Sequence, residues 1–148
     1  MPLPPVPDTA ITLGASASDW QAAIGLVGAA LTASGATTAE YSHEMIRMIE
    51  EHGPYIVIAP GLAFAHARPG PAVLHDGLAV ATLTTPVAFG NPYNDPVRVV
   101  LGLAVTSAAH HLSLVSEIAN VFNDSDAIAR LAAAASPDEV RGVLGASA

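Results

Sequence analysis

The feature that most constrains the fold is the segment 97–105, which is apolar along its whole length except for Arg98. A short, nearly uninterrupted apolar run rich in valine is typical of a strand that is covered on both faces of a sheet. Three further short runs, at residues 55–58, 62–68 and 78–83, are candidate strands of the same sheet. Because both faces of such a sheet must be covered, we predict a single α/β domain with helices on both faces.

Helix signals lie on either side of these strands. Two residue pairs have capping-box spacing and predict helix starts: Ser18 with Gln21, and Thr37 with Glu40. Gly35 is expected to end the first helix and Gly53 the second. Near the C-terminus, residues 136–139 read as another capping box with proline at the first helical position.

The chain of 148 residues has the length of one domain. Its beginning is rich in proline and lacks the basic and apolar regions of a signal peptide. We therefore predict that residues 1–17 form a proline-rich flexible arm and that residues 18–148 form the globular domain. Two long uncharged stretches, at 20–39 and 99–116, are too polar to span a bilayer, so we expect a cytoplasmic protein.

Composition excludes several classes of function. Hydrophobic residues make up 51% of the chain and charged residues 12%, which is the opposite of a disordered composition. Five basic residues, all arginines, stand against thirteen acidic ones, and this balance argues against nucleic-acid binding. Since cysteine is absent, thiolate nucleophiles and cysteine-ligated zinc are excluded. The six histidines are the compositional hint of chemistry.

The segment 53–69 carries the clearest chemical pattern. If residues 62–68 are extended, His66 and Arg68 point to the same face as Phe64, while the intervening alanines point to the other face. A neutral imidazole is a nucleophile, and a neighbouring guanidinium can hold phosphate oxygens. The spacing alone leaves open that His66 is a hydrogen-bonded histidine at a strand end.

His110 and His111 are a second candidate site, where the strand at 97–105 gives way to a helix. The free N–H groups and the dipole at a helix start favour a bound anion and a neutral imidazole. Adjacent helical histidines do not form the i, i+4 pair of zinc enzymes, so we predict no metal site. An ordinary solvated helix start remains the alternative. The other histidines are expected at the surface: His43, His52 and His75.

These residues resemble the enzyme IIA (EIIA) component of the phosphoenolpyruvate-dependent sugar phosphotransferase system (PTS). Within the mannitol/fructose superfamily, the sequence is most similar to the ascorbate-type branch. The similarity spans residues 18–124 and is carried by four segments: 53–61, 65–69, 86–90 and 111–119. The first of these segments is a specific match to the family, because it leads into a histidine that is itself surrounded by matching residues.

The resemblance implies a mixed β-sheet flanked by helices and a type-2 EIIA domain over residues 18–148. His66 would accept a phosphoryl group from the histidine phosphocarrier protein HPr as a tele-phosphohistidine, and would pass it to a cysteine of a cognate EIIB component. His111 would orient His66 or stabilise the transferring group, and Arg68 would bind phosphate oxygens. No cofactor is implied.

The partners implied are HPr and the EIIB and EIIC components of a sugar permease, either ascorbate-like or of the mannitol/fructose type. EIIB and EIIC would lie on separate chains, and the protein would meet the membrane only through the permease. The composition also permits a homodimer.

Two positions depart from the family pattern. Many members carry a supporting arginine where this chain has Met48, with Arg47 adjacent, and Ala65 replaces the usual proline before the histidine. Two alternatives stay open: a regulatory EIIA-like protein that signals by its phosphorylation state, and a non-catalytic module that binds a ligand or partner. A histidine–metal hydrolase would need a carboxylate near His66, and the nearest along the chain is the distant Asp76.

Overall fold

The computed structural model describes residues 2–148. These residues form five strands and five α-helices, preceded by a single 3-10 turn at Asp8–Ala10. In chain order the elements are β1 (Ile11–Ala15), α1 (Trp20–Ala33), α2 (Glu40–His52), β2 (Val57–Ala59), β3 (Leu62–His66), β4 (Gly77–Val87), β5 (Val97–Ala104), α3 (Ala108–Phe122), α4 (Ala127–Ala132) and α5 (Pro137–Leu144).

The five strands form one mixed sheet in the order β1-β4-β5-β3-β2. The pairs β1–β4 and β3–β5 are parallel, and the pairs β4–β5 and β2–β3 are antiparallel. The central strand β5 is buried at successive positions from residue 99 onwards, so both of its faces are covered. The predicted α/β domain with a covered, mixed sheet is therefore confirmed.

Small residues bring α1 directly onto the sheet. A Cβ added at Gly102 of β5 would lie 2.8 Å from the Cβ of Val27, so only hydrogen fits between strand and helix there. Gly28 of α1 approaches Ser42 of α2 in the same way, because an added Cβ would overlap the Ser42 side chain. The three alanines that alternate with Phe64, His66 and Arg68 are buried: Ala63 and Ala65 on β3, and Ala67 directly after it.

The helix boundaries agree with the predicted stops better than with the predicted starts. Gly35 and Gly53 follow α1 and α2 with positive φ angles of 86° and 83°, as expected for glycine helix ends. Asp19, not Ser18, caps α1, because its side chain accepts the Ala22 N–H at 2.8 Å.

Among the described residues, no helix is long and apolar enough to cross a membrane.

The second predicted capping box is also absent. Thr37 forms an isolated β-bridge with Val73, and α2 begins after Ala39 without a side-chain cap. At the C-terminus the prediction is confirmed, since Ser136 accepts the Glu139 N–H and Pro137 occupies the first turn of α5.

The N-terminal segment differs from the predicted flexible arm. Met1 lies outside the described residues. Val6 is fully buried, and residues 11–15 form β1, which pairs in parallel with β4 at the edge of the sheet. This strand carries little local sequence signal, because β1 is short and its partner lies far away along the chain. Residues 6–15 are therefore part of the fold and do not form the predicted arm.

The two ends of the chain are joined by hydrogen bonds. The Val6 N–H donates to the Ser147 carbonyl at 2.7 Å. The guanidinium of Arg141, on α5, donates to the Val6 carbonyl at 2.9 Å, to Asp8 at 2.8 Å and to Asp138 at 2.7 Å. The N-terminal segment is thus fastened to the last helix as well as to the sheet.

Candidate active site

Parallel pairing of β3 with β5 brings two histidines to the same edge of the sheet. The last residue of β3, His66, pairs with Leu103 near the end of β5. The chain then enters α3, whose first turn carries His111. The rings of His66 and His111 lie 5.2 Å apart between centroids.

The His66 ring has a defined tautomer. Its Nδ1 lies 3.1 Å from the Phe64 carbonyl oxygen. Because a carbonyl oxygen can only accept, Nδ1 carries the hydrogen and Nε2 carries the free lone pair. The ring is half-buried and packs against Phe64 and the edge of Tyr55, with centroid distances of 5.5 Å and 6.0 Å.

The surroundings of His66 favour its neutral form. Burial lowers the pKa of His66 below its ordinary value, and the nearby His111 lowers it further. The hydrogen bond to the Phe64 carbonyl acts in the opposite direction but is outweighed. At neutral pH His66 therefore offers an uncharged Nε2, the form of imidazole that acts as a nucleophile.

His111 is positioned by the start of α3. The Ser107 side chain caps this helix by accepting the His110 N–H at 3.2 Å, and the His111 N–H donates to the Ser107 carbonyl at 3.1 Å. These bonds fix the first turn, from which His111 faces His66.

His110 turns away from His66 and pairs with a carboxylate instead. Its Nδ1 lies 2.8 Å from Asp76 Oδ2, and Oδ1 of the same carboxylate accepts the Thr106 N–H at 2.9 Å. Sequence reasoning did not predict this contact, because Asp76 and His110 lie on different elements and neither has a local signal of pairing. The contact ties the start of β4 to the start of α3.

A cavity of about 260 Å³ opens beside the two histidines. Its lining residues are Met48, His66, Ala67, Arg68, Pro69, Ala108 and His111. Arg68 thus lies in the same cavity as both imidazoles. Within residues 2–148 it takes part in no ion pair, in contrast to Arg130 and Arg141, so its guanidinium is available to an anion.

The two residues at the position of the family's supporting arginine, Arg47 and Met48, differ in the cavities that they line. Met48 of α2 lines the cavity of the two histidines, whereas Arg47 lines a neighbouring cavity of about 320 Å³. Arg68 lines both cavities. Arg68 is therefore the arginine that the chain places beside His66.

Tyr41 of α2 is a further residue of the site region, and sequence reasoning did not identify it. It is fully buried, and its hydroxyl contacts the backbone immediately after His66.

The part of the chain that the structure describes brings no three His, Asp or Glu side chains close enough to bind a metal ion.

The arrangement is suited to an anion that reacts at a nitrogen. A neutral Nε2, a second imidazole and an unpaired guanidinium share one small cavity beside a capped helix start. Phosphoryl transfer requires little more than such positioning and charge stabilisation.

Comparisons with known proteins give a consistent result. The family model described as "Phosphoenolpyruvate-dependent sugar phosphotransferase system, EIIA 2" matches residues 6–146. The ascorbate-specific PTS system EIIA component of Shigella boydii is 36% identical over 131 residues, which cover 88% of this chain and 85% of that protein.

Two solved structures from Escherichia coli are also similar to this chain. The crystal structure of IIA mannitol has a TM-score of 0.81 and 28% identity, covering 92% of this chain and 96% of that one. The complex of enzyme IIAMTL with phosphorylated enzyme IIBMTL has a TM-score of 0.82 and 25% identity, covering 94% and 96%.

Proposed function

The chain belongs to the EIIA 2 family of the phosphoenolpyruvate-dependent sugar phosphotransferase system, and from this membership we propose that it carries a phosphoryl group on His66. The observation that supports this residue most strongly is its free, neutral Nε2 in a cavity shared with His111 and Arg68. Of the other histidines, His43, His52, His75 and His110 do not line this cavity, and for His111, which does, no hydrogen bond within residues 2–148 fixes the tautomer.

In the first step, His66 Nε2 attacks the phosphorus of phosphorylated HPr. A P–N bond forms at His66 while the P–N bond to the HPr histidine breaks, and the electron pair of that bond stays on the HPr imidazole. The product is a tele-phosphohistidine whose Nδ1–H continues to donate to the Phe64 carbonyl. Arg68 and His111 stabilise the charge on the phosphoryl oxygens during transfer.

In the second step, a cysteine thiolate of EIIB attacks the same phosphorus, and the electron pair of the broken P–N bond returns to His66. This chain contains no cysteine, so the acceptor is on another polypeptide. The solved complex of a IIA with its phosphorylated IIB supports this order of partners. EIIC is then reached through EIIB, and the protein works in the cytoplasm.

The relatives support an ascorbate-like sugar as the transported substrate. The curated relative from Shigella boydii is named as ascorbate-specific and covers most of this chain. Since a IIA component passes its phosphoryl group to EIIB, this specificity is expressed through the choice of EIIB.

The function is tested by intact-mass measurement after incubation with phosphoenolpyruvate, enzyme I and HPr. We expect the wild-type protein to gain one phosphoryl group and His66→Gln to gain none. The matched control is His43→Gln, because His43 is an exposed histidine of α2 and should not affect the gain. Phosphorylation of His66→Gln at the wild-type level would show that another residue is the acceptor.

A further inference from the structure

The hydroxyl of Tyr41 joins the ends of two strands. Tyr41 projects from α2 into the core and is fully buried. Its oxygen accepts the Ala67 N–H at 3.0 Å, and its O–H lies 2.7 Å from the Leu103 carbonyl and 3.4 Å from the Ala67 carbonyl. The single hydroxyl proton goes to Leu103, because that contact is the shorter one.

These contacts lie where the strand ladder stops. His66 and Leu103 are the last paired residues of β3 and β5. The Ala67 N–H comes immediately after the pair, and the Tyr41 oxygen connects it to the Leu103 carbonyl on the other strand. The hydroxyl therefore continues the link between β3 and β5 by one residue beyond the backbone pairing.

The anchored residue stands between two members of the candidate site. Ala67 separates His66 from Arg68, so the backbone position of Ala67 sets the relative placement of the imidazole and the guanidinium. The other anchored group, the Leu103 carbonyl, is on the strand that leads into the helix of His111. One hydroxyl thus contacts both segments that present the site residues.

The hydroxyl keeps its proton across the working pH range. Burial raises the pKa of Tyr41 to about 12, with a smaller contribution from the charge of Glu44, while the Ala67 N–H opposes the shift. Its hydrogen bond to Leu103 is therefore not lost by titration near neutral pH.

We propose that Tyr41 is a positioning residue for phosphoryl transfer: its hydroxyl holds the backbone after His66 so that His66, Arg68 and His111 converge on one phosphoryl group. This inference rests on the proposed function. Tyr41 does not touch the phosphoryl group itself and acts through Ala67 and Leu103.

The test compares two variants that each remove a buried hydroxyl. Tyr41→Phe removes the anchor at Ala67. The matched control is Thr82→Val on β4, because the Thr82 hydroxyl is buried and accepts the Gly14 N–H at 2.8 Å, between β4 and the edge strand β1. Single-turnover phosphorylation by phosphorylated HPr is measured at a series of HPr concentrations, below the unfolding temperature of each variant.

We expect the rate constant of Tyr41→Phe at saturating HPr to fall about 10-fold or more, since small displacements of reacting groups slow transfer strongly. The HPr concentration at half-maximal rate should stay unchanged, because the exposed surface is retained. Thr82→Val should lose stability and keep the wild-type rate constant. A wild-type rate constant in Tyr41→Phe, or an equal loss in both variants, overturns the proposal.

The remaining outcomes are also decisive. If wild-type protein is not phosphorylated by HPr, the proposed function fails and this inference fails with it, whereas a normal wild type with an unaffected Tyr41→Phe overturns the inference alone. Should Tyr41→Phe not fold, amide hydrogen exchange of the wild-type protein is the test. Protection of the Ala67 amide comparable to that of the β5 amides supports the anchor, and exchange at the rate of an exposed loop overturns it.

Discussion

At the scale of single residues, the environment of His66 couples its charge to the stability of the fold. Burial lowers its pKa below the ordinary value of 6.5, so the folded protein binds a proton there less readily than the unfolded chain does. As the pH falls from 6.5 towards the lowered pKa, the free energy of unfolding decreases, and below that pKa the loss stops growing.

We therefore expect His66→Gln to flatten this part of the stability profile. The variant lacks the group that takes up a proton on unfolding, so its free energy of unfolding should change less with pH just below 6.5 than that of the wild type. Urea denaturation at a series of pH values measures both profiles. Parallel profiles for the two proteins would contradict the prediction.

Arg68 and His111 have a different kind of effect from His66. In the proposed mechanism, removing either side chain would leave the acceptor Nε2 in place but would remove a group that stabilises phosphoryl oxygens. We expect Arg68→Ala and His111→Ala to be phosphorylated completely but about 10²-fold more slowly, the size of loss seen when one such donor is removed. Rapid-quench kinetics measure the rate.

Arg130→Ala is the control for this pair of variants, since Arg130 is a surface arginine that pairs with Asp124. Its rate should equal that of the wild type. A wild-type rate for Arg68→Ala or His111→Ala would exclude the altered residue from the site.

At the scale of elements, two glycines of α1 should respond oppositely to the same substitution. Nothing lies within 4 Å of a Cβ added at Gly25, so Gly25→Ala should stabilise the protein by about 0.5–1 kcal/mol through helix propensity. At Gly28 the added Cβ would lie 2.8 Å from the Cβ of Ser42, so Gly28→Ala should destabilise it by about 1–3 kcal/mol. Denaturant unfolding measures both, and changes of the same sign would refute the packing argument.

The start of α3 depends on a contact from outside the helix. Asp76 accepts from Thr106 and pairs with His110, so Asp76→Ala should cost about 1–2 kcal/mol and speed amide exchange in the first turn of α3. Asp19→Ala, which removes the cap of α1, should instead speed exchange at the start of α1. If exchange in α3 is unchanged in Asp76→Ala, the contact does not hold the helix start.

The elements that could be predicted from the sequence are those whose own residues show a clear apolar run or a regular alternation. The apolar segment at 97–105 predicted β5. Alternation at 62–68 predicted that His66 and Arg68 share a strand face; β3 ends at His66, and the two side chains instead line one cavity. Strand β1 could not be predicted, because it is stable through pairing with β4 rather than through its own composition. The cap of α1 could not be predicted for a different reason. Ser18 and Asp19 are both good capping residues, and only the backbone geometry shows that Asp19 is the cap.

The residues of the candidate site could be proposed from the sequence, but the contacts that hold them in place could not. The two histidines and Arg68 have recognisable local contexts. The contacts of Tyr41 with Ala67 and Leu103, and of His110 with Asp76, join residues of distant segments, and such pairs leave no periodic signal. Likewise, only the packing of α2 decides that Met48 rather than Arg47 lines the cavity of the histidines.

At the scale of the whole molecule, the net charge of -8 predicts how the protein would associate with the partners proposed for it. Complementarity favours basic surfaces on the donor and acceptor proteins, and such attraction speeds encounter more than it changes the chemical step. We expect the second-order rate constant of phosphoryl uptake from HPr to fall as ionic strength rises, with the rate constant at saturation unchanged. Insensitivity of the second-order constant to salt would contradict this expectation.

The hydrogen bond between Val6 and Ser147 brings the first and last segments of the domain into contact. Because of this contact, the order of the elements along the chain could be changed while the contacts between the elements are kept. A short linker could connect Val6 to Ser147 while the chain is opened at the exposed turn 123–126 between α3 and α4. The sheet and the edge with the two histidines would stay continuous. Such a rearranged chain would have its N- and C-termini beside α3. A partner protein could be fused to either terminus without interrupting the sheet.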